Sequence, residues 1–584
     1  MRRNSPARNH QRRSVRSAPV CEPVERRVLL STYMVTNTDD GGAGSLRTGM
    51  VFANENAGVT PTVIDFNIPG DGVHTIKPLS PLPAVGSVLI DGYSQPGAMP
   101  DTLNVGDAVL KIELDGSSAG AGPGLHLANG AEVRGLVINR FAGQPAILAD
   151  PRTGFGSQFQ ALVTIDGNYI GTNAAGDGAF AQNNADGIEA AGDCLIGGGP
   201  DGRNLISGNA GDGVVLSGGA ANSPGNVVEG NYIGTDATGM AAVPNGKSGV
   251  HCSSGYLSVI KANLIAGNAG AGISIEGAFN DVSSNRIGVG VANGATVAAP
   301  LPNGNNGVAI FGTGNTIEQN TIAFNHGTGI VDLSGVPVNA NKNSFTANSI
   351  HDNAALGIDL GGDGVTPNTL GGPRNSANHL VNYPVLTYGA SGTGGTLVSG
   401  TLNDVPSIGS SIEFQIEFFL NPKADPSGYG QGQTYLGYLL VPVDADGNAS
   451  FTFTLNYAVP VGQFISATAT QVGLPSPGQN FAPLLFGTSE FSADVKVGLM
   501  GDVNGDGRVD FKDLVILARN YGKPGTPDQG DVDGDGKINF DDLVMLARNY
   551  GRETTNAQQA LALSSAFNAD GSAVKRLKQR RHTL

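Results

Sequence analysis

The sequence predicts a mainly β chain of three unlike parts: a parallel β-helix, an immunoglobulin-like β-sandwich, and a small α-helical calcium-binding module. Three observations predict it. An Asn-x-Ile motif recurs between residues 168 and 350. Strand-like runs with apolar/polar alternation begin near residue 390. An acidic, glycine-punctuated stretch occurs twice, beginning at Gly501 and again at Gly530. At 584 residues the chain has room for several domains.

Composition narrows the classes. Glycine is abundant (88 residues) but follows no three-residue period, which excludes collagen. Few charges, few aromatics and no tryptophan suit short stacked strands better than a helical bundle. The net charge of −16 is uneven, because arginines crowd residues 1–30 and the last residues read "VKRLKQRRHTL". The body is therefore acidic and repels phosphate backbones, so no nucleic-acid partner is expected. Residues 1–32 and 553–584 read as basic tails without a packed core. No run reaches the 18–20 apolar residues of a membrane span, and "VLLSTYMV" is too short for a secretory core followed by a cleavage site. Cys21, Cys194 and Cys252 make no disulfide framework. The last two lie in apolar runs and read as buried thiols.

Residues 33–390 are expected to coil. Asn168, Asn204, Asn231, Asn263, Asn285, Asn320 and Asn348 each stand two residues before an isoleucine. Each is followed by a glycine preceding Ile or Val: Gly187, Gly213, Gly249, Gly272, Gly307, Gly329 and Gly357. A period of 20–50 residues signals a solenoid. Stacked coils would align the isoleucines into one internal ladder and the asparagines into another, whose amides satisfy turn backbone. Ile233 and Ile265 should then be buried together while Tyr232 and Leu264 point out, because neighbouring strand residues face opposite ways. The Asn-to-Gly spacing runs 19, 9, 18, 9, 22, 9, 9. Every second coil thus carries an insert at one corner: 171–186, 234–248 and 288–306. Such inserts often line a binding face. Asn183, Asn245 and Asn303, at matching positions in them, are the candidate hydroxyl-binding residues. Residues 235–247 are expected to be removable without unfolding the coil.

Residues 391–499 carry six or seven alternating strands with turn signals such as "DADGNAS", the pattern of a β-sandwich. Residues 500–552 hold the repeated loop. Each copy fits D-x-[DN]-x-[DN]-G, the opening of an EF-hand-type calcium loop. Alternate oxygen donors suit a hard cation that takes six to eight ligands, and Gly507 and Gly536 permit the sharp turn. The first set is Asp502, Asn504, Asp506, the Arg508 carbonyl, Asp510 and Asp513. The second is Asp531, Asp533, Asp535, the Lys537 carbonyl, Asn539 and Asp542. Two calcium ions are expected. The helix after each loop is expected to bury Phe511, Leu514, Ala518 and Tyr521, or Phe540, Leu543, Ala547 and Tyr550. Two copies let half-domains too small for a core share one.

Three resemblances add to this reading. "CEPVERRVLLS", residues 21–31, resembles the LEPR-XLL segment of planctomycete surface proteins, with Cys21 where the family has leucine. It implies export or surface display. "YMVTNTDDGGAGSLRTGMVFAN" resembles the CSLREA-type segment that opens bacterial surface β-helix proteins, and "EGNYIGTDATGMAAVPNGKSGV" resembles their coil repeat. That implies a right-handed, pectate-lyase-like coil. The calcium pair resembles a type I dockerin, with Asp rather than Glu closing each loop. This implies a cohesin-like partner and an extracellular, polysaccharide-degrading context. The hydroxyl pair usual in that family is replaced by Phe511-Lys512 and Phe540-Asp541.

Catalytic residues are not assigned. The weak candidates are Glu229 and Lys261, neighbours once stacked, and Glu318 with His326. No acid–base constellation repeats across coils, as glycoside hydrolysis or lyase chemistry would need. The expected function is a secreted or surface-displayed protein that binds an extracellular glycan through its inserts and docks through calcium. The alternatives are a polysaccharide lyase or glycoside hydrolase on the coil, and a structural envelope protein.

Overall fold

The structure, a computed structural model, describes residues 31–57, 62–102, 106–152, 161–218, 225–291, 299–335, 342–371, 377–405, 412–473 and 484–554. The basic tail from 555 and the LEPR-XLL-like stretch up to residue 30 lie outside the described residues.

From Ser31–Val35 to Ile358–Leu360 the chain winds through three parallel sheets of 11, 10 and 9 strands. This is a right-handed parallel β-helix. Its interior follows from the motif. Ile206, Ile233, Ile265 and Ile287 share one column of the second sheet, each fully buried. Ile188, Val214, Val250 and Ile273 share a column of the third, also fully buried. β-Branched side chains suit the pleat, and each coil covers the apolar surface of the last.

The corners are held by amides. Asn168, Asn204, Asn231, Asn263, Asn285, Asn320 and Asn348 form one ladder, each Nδ2 donating to the next Oδ1 at 3.0–3.2 Å. The residue before several of these is left-handed, with φ of 67° at Gly167 and 73° at Gly230 but also 56° at Ala262 and 57° at Gln319. That conformation costs a non-glycine residue about 1–2 kcal/mol, and the buried amides over-determine the corner that demands it. A second ladder runs through Asn184, Asn209, Asn245, Asn268, Asn303, Asn325 and Asn353. A third joins Asn280, Asn315 and Asn343.

Both ends of the coil are closed. Helix α1 (Leu46–Glu55), not foreseen from the repeat, buries Leu46, Met50 and Ala53 over the first coil and is capped by Ser45. At the other end stands the sandwich. One of its sheets joins Val385–Gly392, Gly395–Asn403, Asn448–Leu455 and Gly498–Leu499, and the other joins Glu413–Asn421, Thr434–Pro442, Phe464–Gly473, Leu484–Thr488 and the short Val495–Lys496. Its first strand starts at Val385, so the expected boundary at 390/391 falls within a strand and moves upstream. The sandwich seals the last coil. Gln431 Oε1 accepts from Asn353 and ends the second ladder at 3.3 Å. Ile350 and Gly432 exchange backbone bonds of 2.7 and 2.6 Å. Glu417 accepts from Ala347 N at 2.9 Å, and Glu490 from Leu360 N at 3.0 Å. An open coil would leave these donors to water; the sandwich supplies their partners.

The calcium-type module, with helices α2 (Phe511–Asn520) and α3 (Phe540–Asn549), packs on the sandwich through one shared core. Leu517 and Leu546 meet Leu397 and Ala390 there. Asn549 Oδ1 accepts from Thr393 N at 2.8 Å across the contact. The expected helix face needs correction. Phe511 and Phe540 are 66% and 63% exposed, and Tyr521, Tyr550, Ala518 and Ala547 also face solvent. The buried face is turned toward Leu517 and Leu546 because each helix must also bring Asp513 or Asp542 under its own loop.

Candidate functional site

The two acidic loops fold alike. Asp502 accepts from Asp506 N and Gly507 N at 3.1 and 2.9 Å, and Asp531 accepts from Asp535 N and Gly536 N at 3.1 and 3.0 Å. The closing aspartates are fully buried and tie each loop to its helix. Asp513 accepts from Asn504 N at 3.0 Å and Asp510 N at 2.8 Å; Asp542 accepts from Asp533 N at 3.1 Å and Asn539 N at 2.7 Å. Gly507 and Gly536 turn the loops at φ of 86° and 83°.

The result is crowded like charge. Carboxylate oxygens of Asp531, Asp533 and Asp535 lie within 4.8 Å of one another. Burial raises Asp502 and Asp531, with the charge of Asp513 or Asp542 adding to it. Burial and its three carboxylate neighbours push Asp533 up to about 6. In the first loop Asn504 replaces one of these acids, and Lys512 Nζ sits 3.0 Å from Asp506, holding that carboxyl below its usual range. An all-oxygen donor set with unrelieved repulsion fits a calcium ion. Tyr388 of the sandwich stands half-buried beside both loops, its hydroxyl pushed well above the usual range by burial and by Asp531, Asp542 and Asp502.

The insert asparagines are not a binding rim. Asn245 and Asn303 are fully buried and belong to the second ladder. Asn183 is 5% exposed; it accepts from Arg140 N and donates to Gly208 O at 2.7 Å, while its neighbour Asn184 takes the ladder position. These amides satisfy backbone at the corner and have nothing left for a ligand. The inserts instead sheathe the second sheet. Tyr169, Leu205, Tyr232 and Leu264 do leave the coil interior, and the inserts cover them with Ala174, Ala237 and Val291. The inserts also bond to one another, Ala237 N to Gly176 O at 2.9 Å and Val291 N to Gly239 O at 2.8 Å. Removing 235–247 would take out a ladder amide and part of this cover, so that segment is structural. The missed signal was the run Tyr169, Leu205, Tyr232, Leu264: apolar residues on the outer side of a strand imply a second layer.

The first sheet keeps an open outer face. Its register aligns Asp65, Asp91, Arg134 and Asp166 in one row. Ile165 pairs with Ile196, which places Gly197 next; Glu229, Lys261, Ser283, Glu318 and Thr346 follow. Gly202, two residues before its ladder Asn, drops out because Pro200–Gly202 forms a 3-10 turn. Glu229 and Lys261 are neighbours and pair at 3.0 Å on the surface, each neutralising the other. Glu318 and His326 do not meet: Glu318 ends a first-sheet strand, and His326 lies beyond the next second-sheet strand. A cluster that the motif did not mark stands at the row's N-terminal end. Arg134 Nη2 pairs with Asp91 at 2.8 Å. Next to it Asp166 has a buried, unpartnered Oδ1 and is pushed up to about 7, first by burial and then by the Glu132 charge.

Residues 500–550 match the dockerin type I domain family. Among solved structures, the chain is similar to the mannuronan C-5 epimerase AlgE4 A-module of Azotobacter vinelandii, with 15% identity, 58% of this chain and 100% of that chain covered, and a TM-score of 0.31. It is also similar to the enzymatically active domain of tailspike protein 4 of bacteriophage CBA120, with 11% identity, 74% and 67% covered, and a TM-score of 0.17. Dockerin type I domains bind calcium. Among the described residues no helix is long and apolar enough to cross a membrane.

Proposed function

We propose that this is an extracellular or surface-displayed modular protein. Its coil holds a glycan along the outer row of the first sheet, and its dockerin pair attaches it to a cohesin-type partner when two calcium ions are bound. The first ion is held by Asp502, Asn504, Asp506, the Arg508 carbonyl, Asp510 and Asp513. The second is held by Asp531, Asp533, Asp535, the Lys537 carbonyl, Asn539 and Asp542. The observation that carries the glycan reading is the row itself. It sets Glu229, Lys261, Ser283 and Glu318 on one face at the strand spacing of about 4.8 Å, with Asp166 beyond the intervening Gly197. Regularly spaced donors and acceptors on a rigid sheet suit the hydroxyls of an extended chain. The test is a glycan array probed with the full chain and with Ser283→Trp, which plants a bulky ring mid-row. An array on which no glycan loses binding to the substitution would remove the row from the proposal.

A second reading is a polysaccharide lyase or glycoside hydrolase. The favouring observation is Asp166, a carboxyl beside Arg134 with one oxygen unpaired. A carboxyl that keeps its proton near neutrality serves as an acid, and a fixed guanidinium stabilises a developing anion. Incubating the full chain with neutral and uronate polysaccharides, followed by chromatography, tests it. Products that vanish with Asp166→Asn would make catalysis the better reading.

A further inference from the structure

A cleft of about 480 Å³ opens where the last coil meets the sandwich. One wall is the coil turn carrying Asp352, Leu356 and Asp359; the other is the sandwich loop carrying Pro422, Lys423 and Asp425. We infer that this seam cleft is a second binding site, independent of the sheet row, and that it takes a neutral oligosaccharide.

Size and place come first. Ligand sites of about 300–1,000 Å³ concentrate at domain boundaries. The walls are fixed rather than apposed by chance. Ile350 and Gly432 bond across the seam, and Gln431 donates to the Asn353 carbonyl of the coil at 3.2 Å and to Asp425 of its own loop at 2.9 Å. Lys423 bridges to Asp352 at 2.8 Å. A preorganised site spends little binding energy on ordering itself.

Chemistry selects the ligand. The cleft's carboxylates are oriented but not saturated. Asp352 accepts from Lys423 through one oxygen and from His351 Nδ1 through the other, both at 2.8 Å. Asp359 accepts from Gly362 N at 3.0 Å and Gly364 N at 3.3 Å. Asp425 Oδ2 holds Gln431. A carboxylate oxygen has two acceptor positions, so each of these oxygens keeps one for a hydroxyl, except Asp425 Oδ1, which Ser427 N and Oγ already fill. Three acids face one lysine and one histidine, and both of those already engage Asp352. An acidic sugar would meet excess negative charge without a spare cation, whereas a neutral sugar meets none. Leu356 and Pro422 offer apolar contact to the C–H faces of a sugar ring.

The test uses the full chain with calorimetry on neutral cello-, xylo- and manno-tetraoses, and on tetragalacturonate as the acidic comparison. Ala355→Trp and Ala424→Trp plug the cleft from opposite walls at exposed positions and should leave the melting temperature unchanged. The expected result is that at least one neutral tetraose binds and that either plug weakens it at least tenfold. Neutral binding that survives both plugs overturns the cleft, and if Ser283→Trp abolishes it the sheet row alone is the site. Plug-sensitive binding of tetragalacturonate in preference to the neutral sugars overturns the ligand class. Absence of any binding by the parent overturns this site. If one plug fails to fold, the other decides.

Discussion

The coil and the calcium pair are both made by repetition, and they repeat opposite things. Each coil adds an isoleucine that buries the last one and an asparagine that completes the last one's hydrogen bonds. The partner of every repeated group is the next copy of itself. The pair at the C-terminus repeats carboxylates instead, and adding like to like there raises the free energy: Asp533 is pushed up to about 6 by burial and by Asp542, Asp535 and Asp531. A ladder of apolar and amide groups closes on itself, whereas a ring of carboxylates waits for a cation. Stability in the coil should therefore depend on sequence and not on ions, and in the dockerin pair on both.

Removing calcium should produce the largest effect and should fall on one side of this comparison only. An ion present at a thousand times its dissociation constant contributes about 4 kcal/mol, so two contribute about 8 kcal/mol to the dockerin pair. Calorimetry of the full chain in chelator and then in calcium checks this. Because Leu517 and Leu546 share a core with the sandwich, the shift should appear as a C-terminal transition involving both modules. Hydrogen exchange should locate it between 385 and 554 and leave the coil unmoved. Identical thermograms in the two conditions would end the calcium assignment.

Ile265→Asn strikes the other side. Ile265 is fully buried between Ile233 and Ile287. Losing its side chain leaves a cavity costing about 2–5 kcal/mol, and the amide adds about 1–3 kcal/mol as an unpaired buried group. The expected loss is roughly 4–6 kcal/mol in denaturant unfolding, unchanged by calcium. A melt matching the parent's would contradict the register.

These two effects also mark what was legible beforehand. The coil and the calcium loops announced themselves because repetition writes the same residue at the same step, as with Asn231 and Asn263 or Asp502 and Asp531. The third amide ladder could have been found the same way, since Asn280, Asn315 and Asn343 each stand two residues before an apolar residue. What does not repeat stayed hidden. Helix α1 occurs once, at a coil end. The Arg134–Asp166 cluster joins residues of separate coils and differs at every step of the row. The seam depends on Gln431 and Glu417, which look like an ordinary loop residue and an ordinary strand residue until the last coil is set against them. The insert asparagines read as exposed because a polar residue in a loop usually is; the ladder places of Asn245 and Asn303 are decided by neighbours 22 to 36 positions away.

The seam gives a pH test of intermediate size. Glu417 is 1% exposed and pushed up to about 7, chiefly by burial. The folded form therefore holds this proton more tightly than the unfolded chain. Stability from this group is full below the ordinary carboxyl range near 4.5 and is lost as pH rises toward 7. A shift of this size corresponds to about 3 kcal/mol. Glu490, also pushed up to about 7 by burial, adds to the slope. Glu417→Gln should flatten the Glu417 part of the curve between pH 4.5 and 7, read as melting temperature against pH beside the parent. Parallel curves would mean that Glu417 is not held neutral at the seam.

The smallest expected effect sharpens the comparison within the dockerin pair itself. The first loop, residues 502–513, carries four acids against two bases, and the second, 531–542, five against one. Lys512 accounts for much of the difference: its ammonium pairs with Asp506 at 3.0 Å, where the second loop has Asp541. A tethered cation at a ligand both occupies one of its oxygens and repels an incoming dication, so the second loop should fill first. The pair is exposed, and screening by water and salt keeps its influence small. Lys512→Ala should strengthen calcium binding at the first loop by about two- to fivefold. The second loop's constant should hold, and the gain should shrink in high salt. Stepwise calcium titration of the full chain by calorimetry resolves the two constants. If the weaker constant does not move, Lys512 is only a surface neighbour, and any inequality of the loops rests on the exchanged ligands, Asn504 where the second loop has Asp533 and Asp510 where it has Asn539.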